Sequence, residues 1–265
     1  MIIDTHSHCY WDSIEPRIDA IVENMQQAQV SHAIQIGCDI KTSEQAIDLA
    51  RRFPGIFYAT VGFHPETAQD MKFEGEVIEK FERLLLENRD VIVAIGETGF
   101  DYHYLTPEIE SVQKKNQEQW WLIQWELAQK YDLPLVIHTR DARNETIEFM
   151  IEHDIYRAVI HCYSEDPEFA QKLMDFSSEI YFAFGGILTY KKSELVQETA
   201  KMLPLNRILL ETDAPFLSPQ VVRGTINEPA YTRHIFDRLC ELRSEDPGEI
   251  EETIYQNSLK FYGIK

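Results

Sequence analysis

Apolar and polar positions along the chain follow two alternating rhythms. Short β-branched or apolar runs occur at Ile2–Thr5, His32–Ile36, Ile56–Val61, Val91–Ile95, Leu133–Ile137, Arg157–Ile160, Glu179–Phe184 and Arg207–Leu210. Their length and composition predict eight strands. Between them lie stretches with a 3.6-residue period and charged faces, including Ser43–Phe53, Glu74–Asn88, Glu108–Lys130 and Ser193–Leu203, which predict helices. Ser43 ahead of Glu44 and Pro107 ahead of the long helix read as start signals. Eight strand–helix units predict an α/β protein, a (β/α)8 TIM barrel formed by residues 1–265 as a single domain. A doubly wound open sheet shares the same alternation and is the alternative. No Gly/Ser linker, low-complexity tract or fixed-period repeat interrupts the pattern.

Composition narrows the class. The chain has 265 residues, 44% hydrophobic and 26% charged, enough apolar material for one large core. No apolar stretch is long enough to span a bilayer, and MIIDTHSHCYWD lacks the basic and apolar regions of a signal peptide. Cys9, Cys38, Cys162 and Cys240 are scattered without a C-x-x-C pair, so a reduced, cytoplasmic protein is expected, with no membrane association and no obligate protein partner. Net charge is −20, and no basic stripe offers a duplex a binding face. That excludes broad, sequence-independent DNA binding; it leaves open chemistry on a chain end, where bound cations set the local field.

The barrel expectation gives the polar residues a common address, because active sites of this fold lie at the C-terminal ends of the strands. His6 and His8 follow the first run, His64 the third, Glu97 the fourth, His138 and Arg140 the fifth, His161 the sixth and Asp213 the eighth. Five of the nine histidines fall at these ends. His6 and His8 are two apart, so both imidazoles of an extended strand face one way and can share a cation. Glu97 at the end of an apolar strand would be costly to bury unpaired, and its two oxygens can bridge two cations. Asp213 suits a ligand that also handles a proton. The mixed imidazole and carboxylate set suits zinc, manganese, iron or nickel, and carboxylate-rich sites accept magnesium. His64 and Arg140 read as substrate groups, since a guanidinium fork matches phosphate. Asp4 is a candidate acceptor supporting the neighbouring histidines. Cys9 and Cys162 read as buried filler, and Trp120, Trp121 and Trp125 as packing on the barrel exterior.

Eight fragments in order carry a resemblance: DTHSH at 4–8, GFHP at 62–65, IGETGFDY at 95–102, LPLVIHTRDA at 133–142, HCYS at 161–164, GGILTY at 185–190, LLETDAPFL at 209–217 and NEP at 227–229. Nearly end to end, the chain resembles the TatD-like metal-dependent hydrolases, described as deoxyribonucleases, within the amidohydrolase-like barrels. The resemblance implies one or two divalent ions (Mg, Mn or Zn). One would be held by His6, His8, Glu97 and Asp213, the other by Glu97, His138 and His161. It also implies catalytic roles for Glu97 and Asp213, and phosphate contacts from His64 and Arg140. Arg223 would help close the substrate groove. The implied reaction is metal-assisted hydrolysis of DNA; the net charge of −20 and a barrel mouth ringed by loops further predict exonucleolytic attack on single-stranded or frayed ends. The chain departs from the family at Glu165, where glycine is usual after Ser164, and at Thr225-Ile226, where relatives carry a basic residue. The rival readings are an amidohydrolase-type enzyme acting on a C–N bond, lactone or aminoacyl ester, and a non-catalytic metal-binding scaffold.

Overall fold

A computed structural model describes residues 1–265. Strand and helix alternate as β1 (Ile2–Ser7), α1 (Ile18–Gln27), β2 (Val30–Gln35), α2 (Ile40–Arg52), β3 (Phe57–Val61) and the single turn α3 (Pro65–Ala68). There follow α4 (Gly75–Glu87), β4 (Ile92–Asp101), α5 (Glu110–Lys130), β5 (Leu135–Arg140), α6 (Arg143–Glu152), β6 (Arg157–Ile160) and α7 (Pro167–Phe176). The chain ends with β7 (Glu179–Phe184), α8 (Glu194–Met202), β8 (Ile208–Leu210), α9 (Thr232–Leu242) and α10 (Pro247–Tyr262). Each strand pairs in parallel with the next, in the order β1 to β8, without the order reversal that a doubly wound sheet requires. Residues just beyond β8 bring the ends of the sheet together: Ser7 bridges Ala214, Asp213 N–H donates to His6 O at 2.9 Å, and His8 N–H donates to Ala214 O at 2.7 Å. The result is a nearly closed (β/α)8 barrel.

Period-2 alternation divides the apolar residues into two cores. Leu135, Ile137, Ala158, Ile160, Phe182 and Phe184 point outward into a cluster of 58 buried residues shared with the helices. Val93, Val136, Val159, Tyr181, Ala183 and Leu209 point inward, and Phe261, Tyr262 and Ile264 from the end of α10 complete this inner core. Trp120 and Trp121 on α5 meet Phe63 and Phe100 with ring centroids 4.7 Å apart in each pair, on the barrel exterior as expected. Truncating either indole to alanine would cost about 3–5 kcal/mol. No helix is long and apolar enough to cross a membrane.

Several boundaries differ from the sequence expectation. β4 runs on to Asp101 and β5 to Arg140, because their polar ends keep pairing: Gly99 with His138, Asp101 with Arg140. Gly99 permits this approach. At φ +128° it lies where side chains are disfavoured, and a Cβ there would sit 2.1 Å from His138 O. α2 starts at Ile40, not beside Ser43. Asp39 caps it by accepting from Thr42 N–H at 2.7 Å, a stronger acceptor than a serine hydroxyl, while buried Ser43 accepts from Gly62 N–H. α5 starts at Glu110, leaving Pro107 in the preceding turn.

Candidate metal centre and active site

The same alternation that fills the inner core places the polar groups above it. His138 lies two residues after inward Val136, His161 two after Val159, and Glu211 two after Leu209. At this level the barrel interior changes from apolar to titratable. Glu97, fully surrounded, stands between two groups of donors. Its Oε2 is 3.5 Å from His6 Nε2. His6 Nε2 lies 3.3 Å from His8 Nε2 and 3.7 Å from Asp213 Oδ1, and His8 Nε2 is 3.5 Å from that same oxygen. Its other oxygen, Oε1, is 2.9 Å from both His138 Nδ1 and His161 Nε2 and 3.5 Å from His64 Nε2. The six residues expected as ligands therefore converge, and the H-x-H pair does face one way. His64 joins them more closely than a pure substrate group would, grouped with Glu97 and His138.

Two further acids stand behind these rings. Asp101 Oδ2 is 3.0 Å from His138 Nε2, and Glu211 Oε1 is 3.2 Å from His161 Nδ1 while accepting from Cys162 N–H at 2.6 Å. Neither acid was singled out from the sequence. Glu211 could have been found by continuing the inward phase of β8, whereas Asp101 required the true length of β4. Asp4 does not touch an imidazole; it accepts from the backbone N–H of His6 and of Thr212 and from the Thr212 hydroxyl, tying β1 to the segment after β8. Cys9 is buried, and burial raises its thiol far above the ordinary range.

The electrostatics test whether a cation suits this arrangement. Glu97, Asp101, Glu211 and Asp213 make no ion pair with lysine or arginine; their charged contacts are imidazoles alone. Burial opposes charge on His161, yet Glu97 and Glu211 lift its pKa well above the ordinary value. Burial likewise opposes charge on His138, but hydrogen bonds to Asp101 and Glu97 raise it. For Glu97 the burial penalty is overcome, chiefly by His161, and its carboxyl is held well below the usual range. His64 is pushed down to about 4 by burial, against the pull of Glu97. Raised imidazoles beside a carboxyl held low mark a place where positive charge is favoured, which divalent cations would supply. Ligands about 2.0–2.1 Å from a tetrahedral ion stand about 3.3 Å apart, close to the 3.3–3.7 Å that separates His6 from His8, Glu97 and Asp213 and to the 3.5 Å between His8 and Asp213.

The cluster forms the floor of a cavity of about 670 Å³ whose walls carry Trp11 and Phe216 on one side and Tyr104 and Arg140 on another. Arg140 makes no salt bridge to Asp141 or Glu145; its guanidinium lies 5.0 Å from the Tyr104 ring centre, facing the cavity. Arg223 differs from expectation. It sits on an exposed loop, 4.9 Å over the Tyr190 ring, and does not line the cavity. Glu165 lies 3.8 Å from Arg143, which offsets its charge.

A parallel eight-stranded barrel with imidazoles and carboxylates gathered at its C-terminal mouth is a metal-dependent hydrolase framework. Comparison with known proteins agrees. The sequence profile described as "TatD related DNase" matches residues 3–263. A metal-dependent hydrolase of Mycoplasma genitalium is 31% identical over 263 residues, covering 98% of each chain. The metal-dependent hydrolase YabD of Bacillus subtilis is 30% identical over 266 residues, covering 100% of each. The crystal structure of YjjV, a TatD homologue from Escherichia coli, superposes with a TM-score of 0.89 at 26% identity, covering 100% of this chain and 98% of that one. The chain belongs to the TatD-related DNase family of metal-dependent hydrolases.

Proposed function

We propose that this protein is a cytoplasmic phosphodiesterase that removes nucleotides from single-stranded or frayed DNA ends with one or two divalent ions. Glu97 carries this reading. Its two carboxylate oxygens face two donor groups: His6, His8 and Asp213 beside Oε2, and His138 and His161 beside Oε1. His6, His8, Glu97 and Asp213 would hold one ion; Glu97, His138 and His161 the other. Bound there, the ions supply Lewis acidity towards the ester and towards water.

The chain's own residues supply the rest. Arg140, unpaired at the mouth, offers a fork to the non-bridging phosphate oxygens. His64, held neutral by burial, can donate or accept one hydrogen bond beside them. The Asp213 carboxyl lies below its usual range, burial being outweighed by His8 and His6, so it is ionised and able to take a proton from the attacking water. The cavity floor lies inside the barrel mouth, which favours a chain end over the middle of a stiff duplex. Net charge −20 limits attraction along DNA to the few phosphates at the mouth.

The test is cleavage of end-labelled single-stranded, blunt duplex and covalently closed circular DNA across a salt series, with amide, lactone and aminoacyl esters in parallel. Stepwise release from ends, strongest on single strands and with a shallow salt slope, is expected. Rapid nicking of the closed circle would sink the end-directed reading. Turnover confined to amides or carboxylic esters would replace it with the amidohydrolase one.

A further inference from the structure

The cavity has an apolar wall that hydrolysis does not require. Trp11 and Phe216 meet there with ring centroids 5.0 Å apart at 87°. They stand 6.5 and 6.4 Å from the His8 ring. Both are large and apolar, yet 44% and 42% exposed, while Trp120, Trp121 and Trp125 are 3% exposed or less.

Tight turns tie the backbone of both residues to the polar cluster. Trp11 N–H donates to His8 O at 3.1 Å, and Phe216 N–H donates to Asp213 O at 2.8 Å. Each aromatic is thus one turn from a residue of the polar cluster. Asn227, fully buried, secures the second turn by donating to Phe216 O at 2.6 Å and Thr212 O at 2.8 Å. The main chain under each ring is thus set relative to the polar cluster, while the ring surfaces remain in water.

We propose that Trp11 and Phe216 form a stacking subsite for the base of the nucleotide whose phosphate lies between the cluster and Arg140. This inference rests on the phosphodiester reading. The wall lies within a sugar's reach of His8, as a base lies from its own 5′-phosphate. Every base offers a π-face, so the subsite accepts all four and favours the larger purines. It also gives an acidic protein affinity for a nucleotide that does not depend on phosphate attraction.

The experiment is a titration of the manganese-loaded full-length protein with deoxyadenosine 5′-monophosphate, thymidine 5′-monophosphate and baseless 2-deoxyribose 5-phosphate, followed by tryptophan emission. Trp11 is the one exposed indole, so base stacking reports through it. Both nucleotides should quench the emission and bind about tenfold more tightly than the sugar phosphate, adenine above thymine. Trp11→Ala and Phe216→Ala, followed by calorimetry, should narrow that ratio to about twofold, and Trp11→Phe should keep most of it. Equal affinity of the parent for all three probes, or a full ratio in both alanine variants, overturns the subsite. Base-dependent binding without cleavage of any phosphodiester would refute the hydrolysis reading and leave the subsite standing. DNA cleavage without base-dependent binding would do the reverse.

Discussion

Glu211 offers a way to separate support of the metal centre from support of the fold. Its Oε1 accepts from Cys162 N–H at 2.6 Å and lies 3.2 Å from His161 Nδ1, on the side of the ring away from Glu97. Glu211→Ala removes a buried side chain and the acceptor of the part-buried Cys162 N–H, which together cost about 1–3 kcal/mol. For a domain of this size that lowers the melting temperature by about 4–8 °C at the middle of the range. The same change frees the His161 ring and lowers its basicity, an effect worth about 10–100-fold in metal affinity. Glu211→Gln separates the two. Its amide oxygen can still accept from Cys162, so the melting temperature should stay near that of the parent. The negative charge behind His161 is gone, so metal affinity should still fall about tenfold or more. Calorimetry measures the first quantity, and competition with a chromophoric chelator the second. Parent-like metal affinity in Glu211→Gln would refute the idea that this carboxylate orients His161 for a cation.

Three further outcomes follow from the same geometry. Arg140→Ala should leave metal content and melting temperature nearly unchanged, because the side chain has no acidic partner to strand, while phosphodiester turnover falls about tenfold or more; loss of metal or of the fold would reassign Arg140 to structure. His8→Ala should sharply reduce metal occupancy by elemental analysis, and equal content in mutant and parent would contradict the paired-histidine reading. Metal loading should weaken as pH falls, since the ion must displace protons from His138 and His161, whose folded pKa values lie above the ordinary 6.5. By the same linkage, stability that these raised values lend the ion-free protein is present below 6.5 and lost as pH rises through them. The gap in melting temperature between loaded and ion-free protein should therefore widen with pH, and a constant gap from pH 5 to 9 would contradict this.

β6 and β7 coincide with their apolar runs: His161 ends the first run and Gly185-Gly186 the second. β4 and β5 overrun theirs, since pairing resumes after an irregularity at Gly96-Glu97 and continues through Thr98–Asp101 and Ile137–Arg140, where polar residues break the apolar run but not the ladder. That is why Asp101 escaped notice: only the register beside β5 brings it to His138. Closure of the barrel also lacks a local signature. It depends on hydrogen bonds from Asp213 and His8 to backbone about 200 residues away. The inner-core contribution of Phe261, Tyr262 and Ile264 is equally silent, because an amphipathic terminal helix looks alike wherever it docks. The convergence of the polar residues was legible for the opposite reason. A fold that puts every strand end at one mouth turns scattered histidines and acids into a single set.

The most direct test is a crystal structure of the manganese-loaded protein with data collected at a wavelength where manganese scatters anomalously. The account predicts anomalous density flanking Glu97, one peak against His6, His8 and Asp213 and a second against His138 and His161. Density elsewhere, or a fully loaded protein with none at Glu97, would contradict it.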